Sequence, residues 1–332
     1  MNMREVTSRF LTLGFLLSIA VARGILCRDN GHTEGAWVKL TNPTEAVTFQ
    51  CPNGSDFHST NKQDYLFHNG SRNSDWSGGC LCPLHRAAFW RWKPAKCDLL
   101  AWNASRFCEV LGDRIVLLSG DSTMNQAAVT LMQLIKEHGG QCHNQLYYGS
   151  SHFLIFQNQA DFTWHNWIIK HKEKILPDIV VLTVGAHAQD IGDMYMIWEN
   201  LIKDIRMVRE RFFWHNFTFV WKTQQPGHAA CFNYSQPLFT PNNRFRWGTH
   251  FDEELYNWYL HPSFDAFSVN QSLLHNIKIL DLSPLYERPD AHPGSVLAEP
   301  NSTKDDCLHY CIPGPIDLFA SLFFQMLDAR EI

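Results

Sequence analysis

Short apolar segments alternate with amphipathic segments from Leu111 to the C-terminus, and this alternation constrains the fold more than any other feature. The apolar segments are short and flanked by glycine, proline or charged residues, as buried strands are. Strands that alternate with helices form a parallel sheet covered on both faces, so we predict a three-layer α/β/α fold with a mostly parallel sheet. The predicted strands are Arg114–Ser119, Asp178–Val184, Phe217–Trp221 and Ile277–Leu282, and the predicted helices are Thr123–His138, Gly192–Arg211, Glu253–Leu260 and Ile316–Leu327.

The first 22 residues have the pattern of a secretory signal. An arginine-containing start precedes the uncharged segment Phe10–Ala22, which ends in the small-residue cleavage pattern Ala20-Val21-Ala22. This segment is shorter than the ~20 residues that span a bilayer. We therefore predict a signal peptide or a short uncleaved anchor at 1–22, and no other integral membrane segment.

The cysteines and glycosylation sequons agree with export. The chain has 10 cysteines, an even number, and Cys80-Leu81-Cys82 lacks the C-x-x-C spacing of a zinc or redox site, so we expect disulfides. Residues 23–110 are predicted to be a Cys-rich, loop-rich region that packs on a main domain at 111–332. The N-x-S/T sequons are at Asn53, Asn69, Asn103, Asn216, Asn233, Asn270 and Asn301.

Composition excludes several classes of function. The net charge of −5 comes without a basic run, which argues against a nucleic-acid partner. The 17 histidines form no H-x-x-x-H or H-E-x-x-H pattern, so we predict no metal. The chain also lacks a nucleotide or flavin fingerprint, and we expect no bound cofactor.

A serine lies where a parallel sheet places its active sites. Gly120-Asp121-Ser122 follows the first predicted strand and opens a helix. Sites in such sheets lie beyond the carboxyl ends of the strands, and main-chain amides at a helix start can stabilise a developing oxyanion. Ser122 is therefore a candidate nucleophile, although a serine at this position can also be only a helix N-cap.

Asp306-Cys307-Leu308-His309 supplies a carboxylate and an imidazole near the C-terminus. A spacing of three places both side chains on one side of a turn, so that Asp306 can orient His309 towards a serine. The alternative is a local Asp–His pair at the surface. Disulfides at Cys307 and Cys311 would fix this loop, and together with Ser122 the segment predicts a Ser-His-Asp triad.

These segments are similar to the PC-esterase and trichome-birefringence-like proteins of the wider SGNH hydrolase group. The similarity runs from near Trp76 to Leu327. The resemblance implies an SGNH-type α/β/α fold and O-acetyl transfer or hydrolysis on glycans, with Ser122, Asp306 and His309 as the catalytic residues. It is carried by Phe89–Leu99, Arg114–Gln126, Leu280–Pro293 and Asp306–Asp317.

The chain departs from the family at the second predicted strand. Many plant members have Asn-Thr-Gly-His there, and an Asn side chain usually helps to form the oxyanion hole of SGNH enzymes. Gly185 matches the glycine, His187 matches only with a one-residue shift, and Thr183 replaces the Asn. We expect Thr183 or the Gly185 amide to substitute, or activity to be impaired. His187 is otherwise a buried structural histidine.

A further segment, Gln225–Cys231, follows the third predicted strand and lies at the same sheet edge. We predict a substrate-side loop fixed by Cys231, with His228 either a substrate contact or a surface histidine.

The leading hypothesis is an O-acetyltransferase that acts on glycan or polysaccharide hydroxyls in the secretory pathway, with an acetyl donor as co-substrate. The second is a secreted carbohydrate acetylesterase with the same triad, in which water replaces the sugar hydroxyl. The third is a non-catalytic glycan-binding protein on a decayed enzyme fold, for which Thr183 is the only support. Golgi retention would favour the transferase, and release from the cell would favour the esterase.

Overall fold

The computed structural model describes residues 26–28, 30–41, 86–151, 154, 164–172, 175–238, 257–293 and 306–332. The predicted signal segment at 1–22 and the sequons at Asn53, Asn69 and Asn301 lie outside these residues. Within the described part of the chain, no helix is both long and apolar enough to cross a membrane.

Five parallel strands form the central sheet, in the order β4-β3-β5-β6-β7. Every residue of its three central members except Thr218 is buried, and most are apolar, as expected for strands covered on both faces. A separate antiparallel pair, β1 (Gly35–Lys39) and β2 (Trp90–Pro94), precedes the sheet in the chain. The strands of the sheet are β3 (Val116–Gly120), β4 (Leu146–Ser150), β5 (Ile179–Thr183), β6 (Thr218–Lys222) and β7 (Lys278–Leu280).

Among the described residues, six α-helices cover the two faces of this sheet. Side chains of alternate strand residues enter two separate apolar clusters, one on each face. α1, α2 and α6 contribute to the first cluster, and α3, α4 and α5 contribute to the second. This is the predicted three-layer α/β/α architecture. The helices are α1 (Ala104–Leu111), α2 (Ser122–Glu137), α3 (Trp164–His171), α4 (Ile191–Arg211), α5 (His261–Leu274) and α6 (Asp317–Asp328).

The strand order creates a crevice between the carboxyl ends of β3 and β5. The chain leaves β3 through α2 to reach β4 on one side, whereas β5 lies on the other side of β3. Helices that follow β3 and β5 therefore diverge to opposite faces of the sheet. Ligands of open α/β sheets bind at such a switch point, which here lies directly beside Ser122.

The predicted helix Glu253–Leu260 is wrong where the structure describes it. Trp258–Leu260 is a single 3₁₀ turn, and the α-helix begins at His261. Pro262 explains this start, because proline fits the first helical turn, where its missing N–H has no partner to lose.

The described part of the Cys-rich region packs on the main domain. Trp37 Nε1 donates a hydrogen bond to the Pro284 carbonyl at 2.9 Å, and His32 Nε2 lies 2.7 Å from the Asp281 carbonyl. Trp37 belongs to the same apolar cluster as α2 and α6. Helix α1 crosses the predicted boundary at residue 110 and packs in that cluster.

The expected disulfides are present among the described residues. The bonds join Cys27 to Cys97, Cys108 to Cys142 and Cys231 to Cys307, and Cys311 is also disulfide-bonded. None of the described cysteines is free.

Candidate active site

Ser122 is the first residue of α2, directly after the turn that leaves β3. The N-cap of this helix is Asp121, whose carboxylate accepts hydrogen bonds from the Thr123 amide at 2.9 Å and the Thr123 hydroxyl at 2.7 Å. Because Asp121 caps the helix, the half-buried Ser122 hydroxyl is not needed as the cap and can hydrogen-bond another group. The alternative role of Ser122 as the helix cap is therefore wrong.

Gly120 allows the serine turn to approach the neighbouring strand. It pairs with Thr183 of β5, and a Cβ atom at Gly120 would lie 2.5 Å from the Thr183 carbonyl oxygen. Any larger residue would force β3 and β5 apart at the crevice. The same contact places the segment after Thr183 beside Ser122, and the Ala186 amide lies 3.4 Å from an Asp121 carboxylate oxygen.

His309 bridges Ser122 and Asp306. Its Nε2 atom lies 2.8 Å from Ser122 Oγ, across 187 residues of sequence, and its Nδ1 atom lies 2.9 Å from Asp306 Oδ2. When Nδ1–H donates to the carboxylate, the Nε2 lone pair is free to accept the serine proton. The structure therefore brings together the three residues predicted as a triad, in the order nucleophile, base and orienting carboxylate.

The Asp306 carboxylate is held in its ionised form. Burial disfavours the charge, but hydrogen bonds from the His309 ring and from the His309 and Leu308 amides outweigh it and hold the pKa of Asp306 well below its ordinary value. An ionised acceptor fixes the tautomer of His309 in which Nδ1 carries the proton.

The loop that carries His309 is fixed covalently, as predicted. Cys307 is bonded to Cys231, and Cys311 is disulfide-bonded on the other side of the histidine. The His228 amide donates to the Cys307 carbonyl at 2.8 Å, so the loop after β6 and the His309 loop form one unit. Such a unit holds the imidazole in place relative to the sheet.

Gln126 was not among the predicted site residues, although it fixes the same loop. Its side-chain amide donates to the Tyr310 carbonyl at 2.8 Å, and its amide oxygen accepts the Tyr310 N–H at 3.0 Å. Gln126 lies four residues after Ser122 on α2 and is fully buried. The i,i+4 spacing puts both side chains on one face of the helix, which is the signal that could have identified it.

A buried cation extends this network towards β6. Lys222 Nζ donates to Gln225 Oε1 at 3.1 Å, and Gln225 Nε2 donates to Gln126 Oε1 at 3.3 Å. Burial lowers the pKa of Lys222 to about 8, although the negative charges of Asp121 and Asp265 act to raise this pKa.

His228 is fully buried behind the triad, with 1% of its surface exposed. Its Nδ1 atom lies 2.6 Å from His292 Nε2, and His292 Nδ1 lies 2.7 Å from the His309 carbonyl. The predictions of a substrate contact or a surface histidine at this position are therefore wrong. Burial lowers the pKa of His292 to about 4 and that of His228 well below its ordinary value, so both rings favour the neutral form.

Two main-chain amides beside the crevice are candidates for binding an oxyanion, and this role stays a prediction. Among the described residues, the N–H groups of Ser122 and Gly185 have no hydrogen-bond acceptor. Gly185 has φ of 146°, and a Cβ there would lie 2.2 Å from the Gln224 side chain. The crevice thus requires glycine at this position.

Thr183 and His187 flank this glycine. Thr183 ends β5 and is fully buried, and its hydroxyl has no partner among the described residues. His187 is half-buried. A role for either in the oxyanion hole or in substrate binding stays a prediction. The described residues contain no group of three His, Cys, Asp or Glu side chains that could hold a metal ion.

Comparison with known proteins places this site in a family. Residues 152–326, more than half of the chain, match the PC-Esterase family, described as a GDSL/SGNH-like acyl-esterase family found in Pmr5 and Cas1p. The matched range includes Asp306 and His309, and Ser122 precedes it.

Relatives are found among plant proteins. Protein trichome birefringence-like 26 of Arabidopsis thaliana is 22% identical over 317 residues, covering 73% of this chain and 68% of the relative. Protein trichome birefringence-like 13 of the same plant is 21% identical, covering 89% and 83%. Xyloglucan O-acetyltransferase 4 of Populus trichocarpa is 20% identical, covering 79% and 73%.

Solved structures give weaker matches. A GDSL-like lipase from Bacteroides thetaiotaomicron is 14% identical, with a TM-score of 0.35 and coverage of 66% of this chain and 89% of that one. The YXIM protein of Bacillus subtilis is 18% identical, with a TM-score of 0.40 and coverage of 67% and 58%. The family match over more than half of the chain shows that this chain belongs to the PC-esterase family of GDSL/SGNH-like acyl-esterases.

Proposed function

We propose that this chain is an O-acetyltransferase that modifies hydroxyls of a glycan or polysaccharide in the secretory pathway, through an acyl-enzyme on Ser122. The observation that carries the proposal is the contact of His309 with both Ser122 Oγ at 2.8 Å and Asp306 Oδ2 at 2.9 Å. Relatives named xyloglucan O-acetyltransferase support a polysaccharide acceptor. The disulfides and the N-terminal sequence pattern support the secretory pathway.

In the first half-reaction, Ser122 Oγ attacks the carbonyl carbon of the acetyl donor. His309 Nε2 takes the serine proton, and Asp306 stabilises the resulting imidazolium. The negative charge on the former carbonyl oxygen is stabilised by the amides of Ser122 and Gly185. His309 then gives the proton to the leaving group, and the acetyl group remains as an ester on Ser122.

In the second half-reaction, a sugar hydroxyl attacks the acetyl-serine ester. His309 accepts the hydroxyl proton and returns it to Ser122 Oγ as the C–O bond to the serine breaks. The sugar leaves as its acetate. Transfer requires that the sugar hydroxyl exclude or outcompete water at this step.

The second candidate is a carbohydrate acetylesterase, in which water is the acceptor. The acyl-esterase description of the family favours this alternative, and the same three residues carry it. The third reading, a non-catalytic glycan-binding protein, is disfavoured by the complete Ser122–His309–Asp306 hydrogen-bond chain. For the transferase we expect an acetyl donor as co-substrate, and for neither enzyme do we expect a bound cofactor.

The experiment that tests the proposal follows the masses of bare and acetylated xyloglucan oligosaccharides. Purified protein is incubated with both pools and an activated acetyl ester, with Ser122→Ala in parallel. Acetate appearing on bare sugars only with the unaltered chain supports the transferase. Loss of acetate alone supports the esterase. Equal behaviour of Ser122→Ala and the unaltered chain would contradict both.

A further inference from the structure

Two aromatic side chains project into solvent at the turn between α4 and β6. Phe213 is 82% exposed and Trp214 is 66% exposed, and their rings pack edge to face with centroids 5.3 Å apart. The turn is closed by a hydrogen bond of 2.9 Å from the His215 amide to the Phe212 carbonyl. It precedes β6 and so lies at the amino end of the sheet, whereas Ser122 lies at the carboxyl end. The triad therefore does not account for these rings.

The residue that follows this turn can be modified. Asn216 is exposed and begins the sequon Asn216-Phe217-Thr218. The next residue, Phe217, is buried. The Asn216 side chain therefore faces the solvent, and the Phe217 side chain faces the core. An exposed asparagine in an irregular segment is the form in which sequons are glycosylated.

The aromatic rings lie within reach of a sugar on Asn216. Only His215 separates Trp214 from Asn216 in sequence, so their Cα atoms are at most about 7 Å apart. Phe213 and Asn216 also line the same depression of about 700 Å³, together with Arg209 and Lys278. This volume is in the range of about 300–1,000 Å³ that small-molecule sites occupy.

We propose that Asn216 carries an N-linked glycan whose first sugar packs on Phe213 and Trp214. The C–H groups of a pyranose ring carry partial positive charge and meet the negative faces of the aromatic rings, while the sugar hydroxyls stay in water. The covalent bond forms between Asn216 Nδ2 and the anomeric carbon of a lipid-linked sugar pyrophosphate. The pyrophosphate leaves with the electron pair, and Nδ2 loses one proton to the host transferase.

The other described sequons lack this arrangement. Asn103 uses its side-chain oxygen to accept the Arg106 amide as the N-cap of α1. Asn270 lies within helix α5. Asn233 is exposed, but the residue two positions before it is Cys231, which is buried in a disulfide. Asn233 is therefore a suitable control, being an exposed sequon without an aromatic pair on its N-terminal side.

The test measures glycan occupancy and thermal unfolding of the full chain secreted from eukaryotic cells. The variants are Asn216→Gln, the pair Phe213→Ser with Trp214→Ser, all three changes together, and Asn233→Gln. We expect an occupied Asn216 by glycopeptide mass spectrometry and a fall in Tm of about 2–4 °C for Asn216→Gln. In the protein that lacks both aromatic rings, Asn216→Gln should lower the Tm little further. Asn233→Gln should leave the Tm nearly unchanged.

A second measurement separates the first sugar from the rest of the glycan. Trimming with an endoglycosidase that leaves one N-acetylglucosamine should preserve the Tm, because only that sugar contacts the rings. A bare Asn216, or an equal loss of Tm with and without the rings, would overturn the proposal. So would a concentration-dependent dimer that is lost with the aromatic pair, which would assign the surface to a second copy of the chain.

This inference rests on the part of the proposed function that places the chain in the secretory pathway. The glycan occupancy data distinguish a failure of that proposal from a failure of this inference. If the chain is not exported from the cells and no sequon is occupied, passage through the secretory pathway is wrong. If other sequons are occupied and Asn216 is bare, only the inference about Phe213 and Trp214 fails.

Discussion

Replacing Gln126 by methionine should slow acylation of Ser122 without touching any member of the triad. Methionine has a similar length and keeps the buried volume, but it can neither donate to the Tyr310 carbonyl nor accept the Tyr310 N–H. Those two bonds tie the helix that begins at Ser122 to the loop that carries His309.

The size of the effect follows from the three groups left without a partner, which are the Tyr310 carbonyl, the Tyr310 N–H and the Gln225 side-chain amide. Each buried polar group that loses its hydrogen bond costs about 1–3 kcal/mol, so the free energy of unfolding should fall by about 3–9 kcal/mol. A displacement of 1 Å at the reacting atoms costs about 10²-fold in rate, and we expect kcat for acylation to fall by about that factor. The KM for a small acetyl ester should change little, because Gln126 is fully buried.

The assay is the pre-steady-state release of nitrophenolate from p-nitrophenyl acetate, with thermal unfolding measured on the same samples. Gln126→Glu serves as a partial rescue, since it keeps an acceptor for the Tyr310 N–H and loses only the donor. Gln133→Met is the matched control, because it makes the same change on the same helix, seven residues further on. A folded Gln126→Met protein that acylates within threefold of the unaltered rate would refute the positioning role.

Four other predictions can be checked with the same preparations. Gly185→Ala should abolish measurable acylation and lower the Tm, because its Cβ would lie 2.2 Å from a neighbouring side chain at a φ of 146°; unchanged burst kinetics would contradict this. Asp306→Asn should reduce kcat by about 10⁴-fold by favouring the wrong tautomer of the imidazole, and a fall below tenfold in the burst assay would count against the triad. Joint replacement of Cys231 and Cys307 by serine opens a loop of 76 residues and should lower the free energy of unfolding by about 4 kcal/mol in urea titrations; an unchanged midpoint would argue against this bond. His292 has a pKa of about 4 when folded and 6.5 when unfolded, so the unfolded chain binds more protons between these values. Stability should therefore rise with pH across that window, with His292 contributing up to about 1.4 kcal/mol per pH unit, and His292→Gln should remove that part of the slope in urea titrations from pH 4.5 to 7.

The central strands could be predicted because their environment determines their composition. β3, β5 and β6 are buried on both faces, so each is a nearly continuous apolar segment. β4 was not predicted because it lies at the edge of the sheet and ends in Gly149 and the exposed Ser150. α5 was also not predicted, because its first turn contains Pro262.

The chemistry of the site was predictable, but its supporting contacts were not. Ser122, Asp306 and His309 could be identified because the mechanism requires those residue types at those local spacings. The i,i+4 spacing from Ser122 places Gln126 on the same helix face, but its partner, the Tyr310 backbone, lies 184 residues away and cannot be inferred from that spacing. His228 was predicted in an accessible role for the same reason, since its burial against His292 arises only when two distant loops meet.

The order of the triad along the chain has a consequence for biosynthesis. The serine is made early, whereas its base belongs to a loop close to the C-terminus that is covalently tied to Cys231. A nascent chain that enters an oxidising compartment therefore carries an unactivated alcohol until nearly all of its residues have been delivered and the Cys231–Cys307 bond can form. In the proposed mechanism, Ser122 therefore meets its base only after the segment with His309 has been made and the Cys231–Cys307 bond has formed.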